Sequence, residues 1–167
     1  MYNTNQIPEF TLEFAQSFLG ERVERKLSHN TYVHRASVTD GVGGRISGYG
    51  VTLHRTMIYF VSDCGRFLRL DTGGWHSVTT KQRLHQLLPK ATYSGSWNEG
   101  THEAHGVNVR LSSEKGQWRI GGYCHDTNTH WWHPYSDGIV LDTQAPAYRP
   151  TLGSLKASEY NVFATAS

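Results

Sequence analysis

Phe10, Phe14 and Phe18 recur at four-residue spacing, and Leu19, Val23 and Leu27 continue a neighbouring stripe. Apolar residues so spaced fall on one face of a 3.6-residue helix. The pattern predicts an amphipathic helix over roughly residues 8–27, with Pro8 in its first turn and Gly20 as a kink. Glu21, Arg22, Glu24, Arg25 and Lys26 are then its wet face.

After Asn30 the period changes. Thr31-Tyr32-Val33 is strand material, Tyr49, Val51 and Leu53 alternate with Gly50, Thr52 and His54, and Met57–Val61 is a short apolar run. Phe67, Leu68 and Leu70 make another, with turn signals at Asp40-Gly41 and Asp63-Cys64-Gly65. Short alternating runs between such turns predict an antiparallel meander. A second helix near 79–88 follows, with Thr79 or Thr80 as its N-cap, Leu84, Leu87 and Leu88 facing inward, Lys81, Gln82 and His85 facing outward, and Pro89 as its stop. Residues 90–106 read as a loop. Strands are predicted at 107–111, 117–123 and 131–135, then a turn at Asp137-Gly138 before Ile139–Leu141.

The elements add up to an α+β domain over residues 1–142: an antiparallel sheet of about five to seven strands, packed by the N-terminal helix and the helix near 79–88. Prolines around Ala145–Pro150 and an Ala/Ser/Thr-rich end predict an extended or disordered arm over 143–167.

Composition supports the sheet. The chain has 167 residues with 17 Gly, nine Tyr and five Trp, residues that favour strands and turns. The net charge of +2 is unevenly spread. Lys and Arg outnumber Asp and Glu over 22–90, while the remainder is acidic. A basic half suits a polyanionic partner. Cys64 and Cys124 lie far apart and form no CxxC, which predicts free thiols in a reducing compartment. The N-terminus lacks the charged and apolar regions of a secretory signal, and no run approaches membrane-spanning length. A cytoplasmic protein without a membrane partner is predicted; no pattern specifies an oligomeric state.

The chemistry concentrates in Asp71–Leu88. Gly73 and Gly74 let backbone approach a ligand, Ser77, Thr79 and Thr80 crowd a helix N-terminus, and Lys81 and Arg83 add positive charge. Trp75 or Tyr32 supplies a stacking surface. Asn30, Thr31, Arg55 and Thr56 are further polar candidates from the meander. Together they describe a site for a nucleotide, a phosphate or a nucleic-acid strand. Capping, turn and cross-strand duties explain about half of these residues without a ligand. Recruiting His54 as a general acid or base, with Lys81 and Arg83 stabilising a phosphorane-like state, gives a metal-independent RNase instead. The glycine pair is no Walker loop, since its spacing to lysine is wrong, and no cofactor is implied. His102, His105, Cys124, His130 and His133 offer a weak alternative as metal ligands, at spacings that match no strict zinc signature.

The ordered set Asn30-Thr31-Tyr32, Leu53-His54-Arg55-Thr56-Met57-Ile58, Thr72-Gly73-Gly74-Trp75 and Val78-Thr79-Thr80-Lys81-Gln82-Arg83 resembles a family of small uncharacterised proteins of tailed bacteriophages. The resemblance covers about residues 28–89 and continues weakly through Gln117–Ile120 and Tyr135–Ile139. Ser77 stands where the family more often has Thr, so the hydroxyl is kept. The resemblance implies a phage source, hence action in the host cytoplasm, and no particular mechanism. The first expectation is a phage accessory protein that binds nucleic acid or a nucleotide or phosphate ligand at the 71–83 junction. The RNase is the second. A virion or assembly component, docking through the N-terminal helix and C-terminal arm, is the third.

Overall fold

A computed structural model of the chain describes residues 1–39 and 44–151. The elements in order are α1 (Leu12–Leu19), β1 (Glu24–Ser28), β2 (Thr31–Thr39), β3 (Arg45–Leu53), β4 (Thr56–Ser62), β5 (Phe67–Leu70), α2 (Val78–Leu87), β6 (Thr92–Ser94), β7 (Glu103–His105), β8 (Val107–Glu114), β9 (Gln117–Cys124), β10 (Thr129–Pro134) and β11 (Val140–Asp142). The fold is α+β and rich in sheet, as expected. Six strands form an antiparallel sheet in the order β1-β2-β3-β4-β5-β11. A three-stranded antiparallel meander, β10-β9-β8, and the β6-β7 hairpin complete the strands.

One apolar cluster joins these parts. Leu19 of α1, Val33, Val51, Tyr59 and Leu70 of the large sheet, Leu84 and Leu87 of α2, and Leu111, Ile120 and Trp131 of the meander are buried together. Each fully buried Leu contributes about 1.5–3 kcal/mol of transfer free energy. Helix α2 bridges the sheets, touching β4 and β8. The other face of the large sheet carries a smaller cluster of Ala36, Val38, Met57 and Phe60. His34 is fully buried in β2. Its Nδ1 lies 2.9 Å from the Arg35 carbonyl, which can only accept, so Nδ1 carries the proton; Nε2 then accepts from the Thr52 hydroxyl at 2.6 Å.

Several expectations need correction. The N-terminal helix spans Leu12–Leu19 rather than 8–27, and Thr11, not Pro8, opens it by accepting from the Phe14 N–H at 3.0 Å. The chain leaves the helix at Gly20, and Glu24–Ser28 is the edge strand β1, so Glu24, Arg25 and Lys26 of the expected wet helical face and Leu27 of its apolar stripe are strand residues. The N-cap of α2 is Ser77, which accepts from the Thr80 N–H at 3.2 Å, rather than Thr79 or Thr80. Residues 92–105 hold a hairpin inside the predicted loop. His54 is not a strand residue: it sits at the β3–β4 turn with φ of 57°. The Asp40-Gly41 turn lies outside the described residues.

The predicted arm begins on the sheet edge. Asp142 forms a two-pronged ion pair with Arg66, both bonds at 3.0 Å, and the Thr151 N–H returns to the Val140 carbonyl at 2.9 Å. Residues 152–167 lie outside the described residues. Among the described residues no helix is long and apolar enough to cross a membrane.

Candidate functional site

Where β5 ends, the chain turns through Asp71-Thr72-Gly73-Gly74, and two carboxylates hold that turn. Asp71 accepts from the Gly73 N–H at 2.6 Å and from Arg69 at 3.0 Å. Asp137, far away in sequence, accepts from the Thr72 N–H at 2.9 Å, the Thr72 hydroxyl at 2.8 Å, the Gly74 N–H at 3.1 Å and the Tyr135 hydroxyl at 2.8 Å. Burial pushes the Asp137 carboxyl up, but the bonds from Thr72, Tyr135 and the two peptide N–H groups outweigh it and leave its pKa below the usual range. The Tyr135 hydroxyl is pushed up, first by burial and then by the neighbouring charge of Asp137. His76 stacks on Trp118 at 4.7 Å, with its Nε2 4.0 Å from Asp137. Gly73 has φ of 63°, and a methyl group there would stand 2.7 Å from Thr56 Oγ1. Only glycine lets this turn close onto β4.

The contact between the two turns leaves a cavity of about 480 Å³. Leu53, His54, Arg55, Thr56 and Ile58 line one side; Thr72, Trp75, Ser77, Thr79 and Thr80 line the other. A register shift between Val51 and Thr52 accompanies the placement of Ile58 here, whose carbonyl receives the Asp71 N–H at 3.0 Å. The His54 peptide N–H donates to the Asn30 carbonyl at 2.8 Å, fixing the β3–β4 turn against β1–β2. Trp75 is 72% exposed at the rim, beside Val78 at 75%. Arg55 is exposed, and its guanidinium has no hydrogen-bond or ion-pair partner among the described residues. The cavity thus offers an apolar floor, an indole face, hydroxyls, an imidazole and one unneutralised cation.

Seven of the predicted site residues meet there: His54, Arg55, Thr56, Trp75, Ser77, Thr79 and Thr80. Others point elsewhere. Lys81 reaches Ser113 at 3.2 Å and lies 5.8 Å from the Trp118 ring centroid. Arg83 is buried, donating to Thr31 Oγ1 at 3.3 Å, the Thr4 carbonyl at 3.5 Å and Gln86 at 3.3 Å, and burial lowers its pKa. Thr31 is buried and gives its own hydroxyl proton to the His29 carbonyl. Asn30 serves the β1–β2 turn with φ of 53°. Gly73 and Gly74 donate their N–H groups to Asp71 and Asp137, so the anion at that turn is the protein's own.

Among the described residues, no three His, Cys, Asp or Glu side chains gather as a metal site. His102 stacks on Trp97 at 3.7 Å, and His105 bridges Asp126 and Glu103 at 2.9 and 3.2 Å. His130 and His133 project from opposite sides of β10, and Cys124 ends β9.

Leu53, Ile58 and Thr72 in the lining, and Asp137 with Tyr135 behind it, are not among the predicted site residues. The Asp137-Gly138 turn signal was visible, but its partner at Thr72 was not. Residues 13–129 match the model of the Kyanoviridae Gp96 protein family. No curated protein and no solved structure matches the chain.

Proposed function

The chain belongs to the Kyanoviridae Gp96 family of phage proteins, and from that premise we propose a phage accessory protein, acting in the host cytoplasm, that binds a nucleotide unit in the cavity between the β3–β4 turn and the start of α2. The observation that carries the reading is the pairing of an exposed indole, Trp75, with an unpartnered guanidinium, Arg55, across one cavity. A base stacks on the indole, and the guanidinium takes the phosphate in a two-pronged contact. Thr56, Ser77 and Thr79 present hydroxyls to the sugar. The Asp71 and Asp137 carboxylates fill the backbone donors of the glycine pair, so the phosphate is assigned to Arg55.

The test is binding of mononucleotides and of a fluorescein-labelled single-stranded oligonucleotide, followed by polarisation at low and raised salt. Arg55→Ala and Trp75→Ala each weaken binding by about tenfold or more, since one stacking or charged contact of this kind is worth about 1–3 kcal/mol. No saturable binding at low salt, or full affinity in both variants, overturns the reading.

A virion or assembly component is the second reading, and the apolar pair Trp75 and Val78 at the rim favours it. It predicts co-sedimentation with phage particles, lost in Trp75→Ala.

A further inference from the structure

We infer that the outer face of the β10-β9-β8 meander is a second binding site, a stacking platform for the bases of a single-stranded nucleic acid. It is separate from the cavity and does not depend on it. Val109, Leu111, Ile120 and Trp131 face the core, so the alternate residues of the same strands face outward. Across the three strands the register sets Arg110 beside Gly121 and Gly121 beside Trp132; the next rank sets Asn108 beside Tyr123 and Tyr123 beside His130.

Gly121 makes the platform. A methyl group there would come within 2.5 Å of the Trp132 ring. The indole therefore lies flat on the strand backbone, and it is still 47% exposed. Arg119 stands 5.3 Å from the ring centroid, close enough to add charge beside a stacked base. A groove of about 330 Å³ runs between Trp132, Tyr123, His130 and Arg110.

A file of rings extends the surface onto the β6–β7 hairpin. Tyr123 meets His125 at 4.8 Å, His125 meets Tyr93 at 5.9 Å, Tyr93 meets His102 at 5.8 Å, and His102 stacks on Trp97 at 3.7 Å. Asn108 ties the file together, donating to the Tyr93 hydroxyl at 3.1 Å and lying 3.3 Å from His125.

Charge selects the occupant. Arg110 and Arg119 are exposed and have no hydrogen bond or ion pair among the described residues. Among the outward strand positions the only carboxylate is Glu114, at the far end of β8. Unneutralised guanidiniums beside flat aromatic faces suit phosphates alternating with bases. Stacking tolerates any base, and a duplex hides its base faces, so the strand is single.

The experiment uses the full chain with labelled oligothymidylate and oligouridylate. Polarisation gives affinity against salt, and ultraviolet cross-linking with mass spectrometry gives the site. The expected result is cross-links on the β9–β10 peptides, roughly tenfold weaker binding in Trp132→Ala, and a salt slope reduced by about 1.4 in Arg110→Ala/Arg119→Ala. Arg55→Ala and Trp75→Ala separate the two sites. Losses confined to the Arg55 and Trp75 variants leave the cavity reading intact and overturn this one. Losses confined to Trp132, Arg110 and Arg119 do the reverse. Absence of binding at low salt overturns it, as does self-association that Trp132→Ala abolishes with no oligonucleotide bound.

Discussion

Replacing Asp137 by Ala removes the acceptor of four donors, and their surroundings set the cost. The Asp137 side chain is 29% exposed, so water replaces part of what is lost. The Gly74 N–H is exposed and rehydrates. Thr72 is 1% exposed, and its orphaned N–H bears the full desolvation penalty of about 1–3 kcal/mol. The Thr72 and Tyr135 hydroxyls lose charge-assisted bonds with partial rescue by solvent. The expected loss is about 3 kcal/mol, a fall of about 1–2 M in the urea midpoint at unchanged slope. Asp137→Asn is milder. Its amide oxygen in the Oδ1 position keeps Tyr135 and both Thr72 donors, while its NH₂ in the Oδ2 position gives up the second contact of the Thr72 hydroxyl and displaces the exposed Gly74 N–H, for about 1 kcal/mol. The part of the Asp137 contribution that depends on its charge is present above the ordinary carboxylate pKa of 3.8 and is lost as pH falls through its lower folded value, so the gap between wild type and the Ala variant narrows in acid. Urea unfolding by circular dichroism across pH measures all of this. An Ala variant that costs under about 1 kcal/mol, or an Asn variant as damaging as Ala, refutes the role of the carboxylate as organiser of the turn.

Gly73→Ala meets both a positive φ and the 2.7 Å approach to Thr56 Oγ1, so it destabilises by more than the roughly 1 kcal/mol of the backbone term alone; Thr56→Ala restores part of the loss in a double-mutant cycle, and strict additivity would refute the contact. Burial lowers the His34 pKa, more than the bond to Arg35 and the charge of Glu24 raise it, so its contribution is full above the ordinary value of 6.5 and declines as pH falls from there toward the folded value. The stability difference between wild type and His34→Gln narrows over that interval, and a difference independent of pH refutes it.

The strands were the legible part of the fold. Tyr49, Val51 and Leu53 alternate because all three pack against the main core, and the pattern reads directly as β3. The sequence pattern overextends helix α1 because four-residue spacing runs on past Gly20 through Val23 and Leu27, while the charges of Glu24, Arg25 and Lys26 disguise an edge strand as a wet helical face. The burial of Arg83 is legible in its spacing: with Thr80, Leu84 and Leu87 it falls on the buried stripe of α2. The gathering of His54, Arg55 and Thr56 opposite Trp75 was not legible, because it depends on the bulge in β3–β4 and on Asp137. Such long-range pairing leaves no periodic trace in one chain.

Strand β11 is made after every other strand, Asp137 lies just before it, and together they close the β5 side of the large sheet. On a ribosome adding about 5–20 residues per second, the chain from Leu70 to Asp142 takes roughly 4–14 s to emerge. For that interval β5 is an open sheet edge carrying Phe67, Leu68 and Leu70, and the turn bearing Trp75 lacks its second carboxylate. The order of synthesis therefore gives the nascent protein a window in which it is vulnerable to mispairing and still without its cavity, and a chain that stops short of residue 137 never leaves that window.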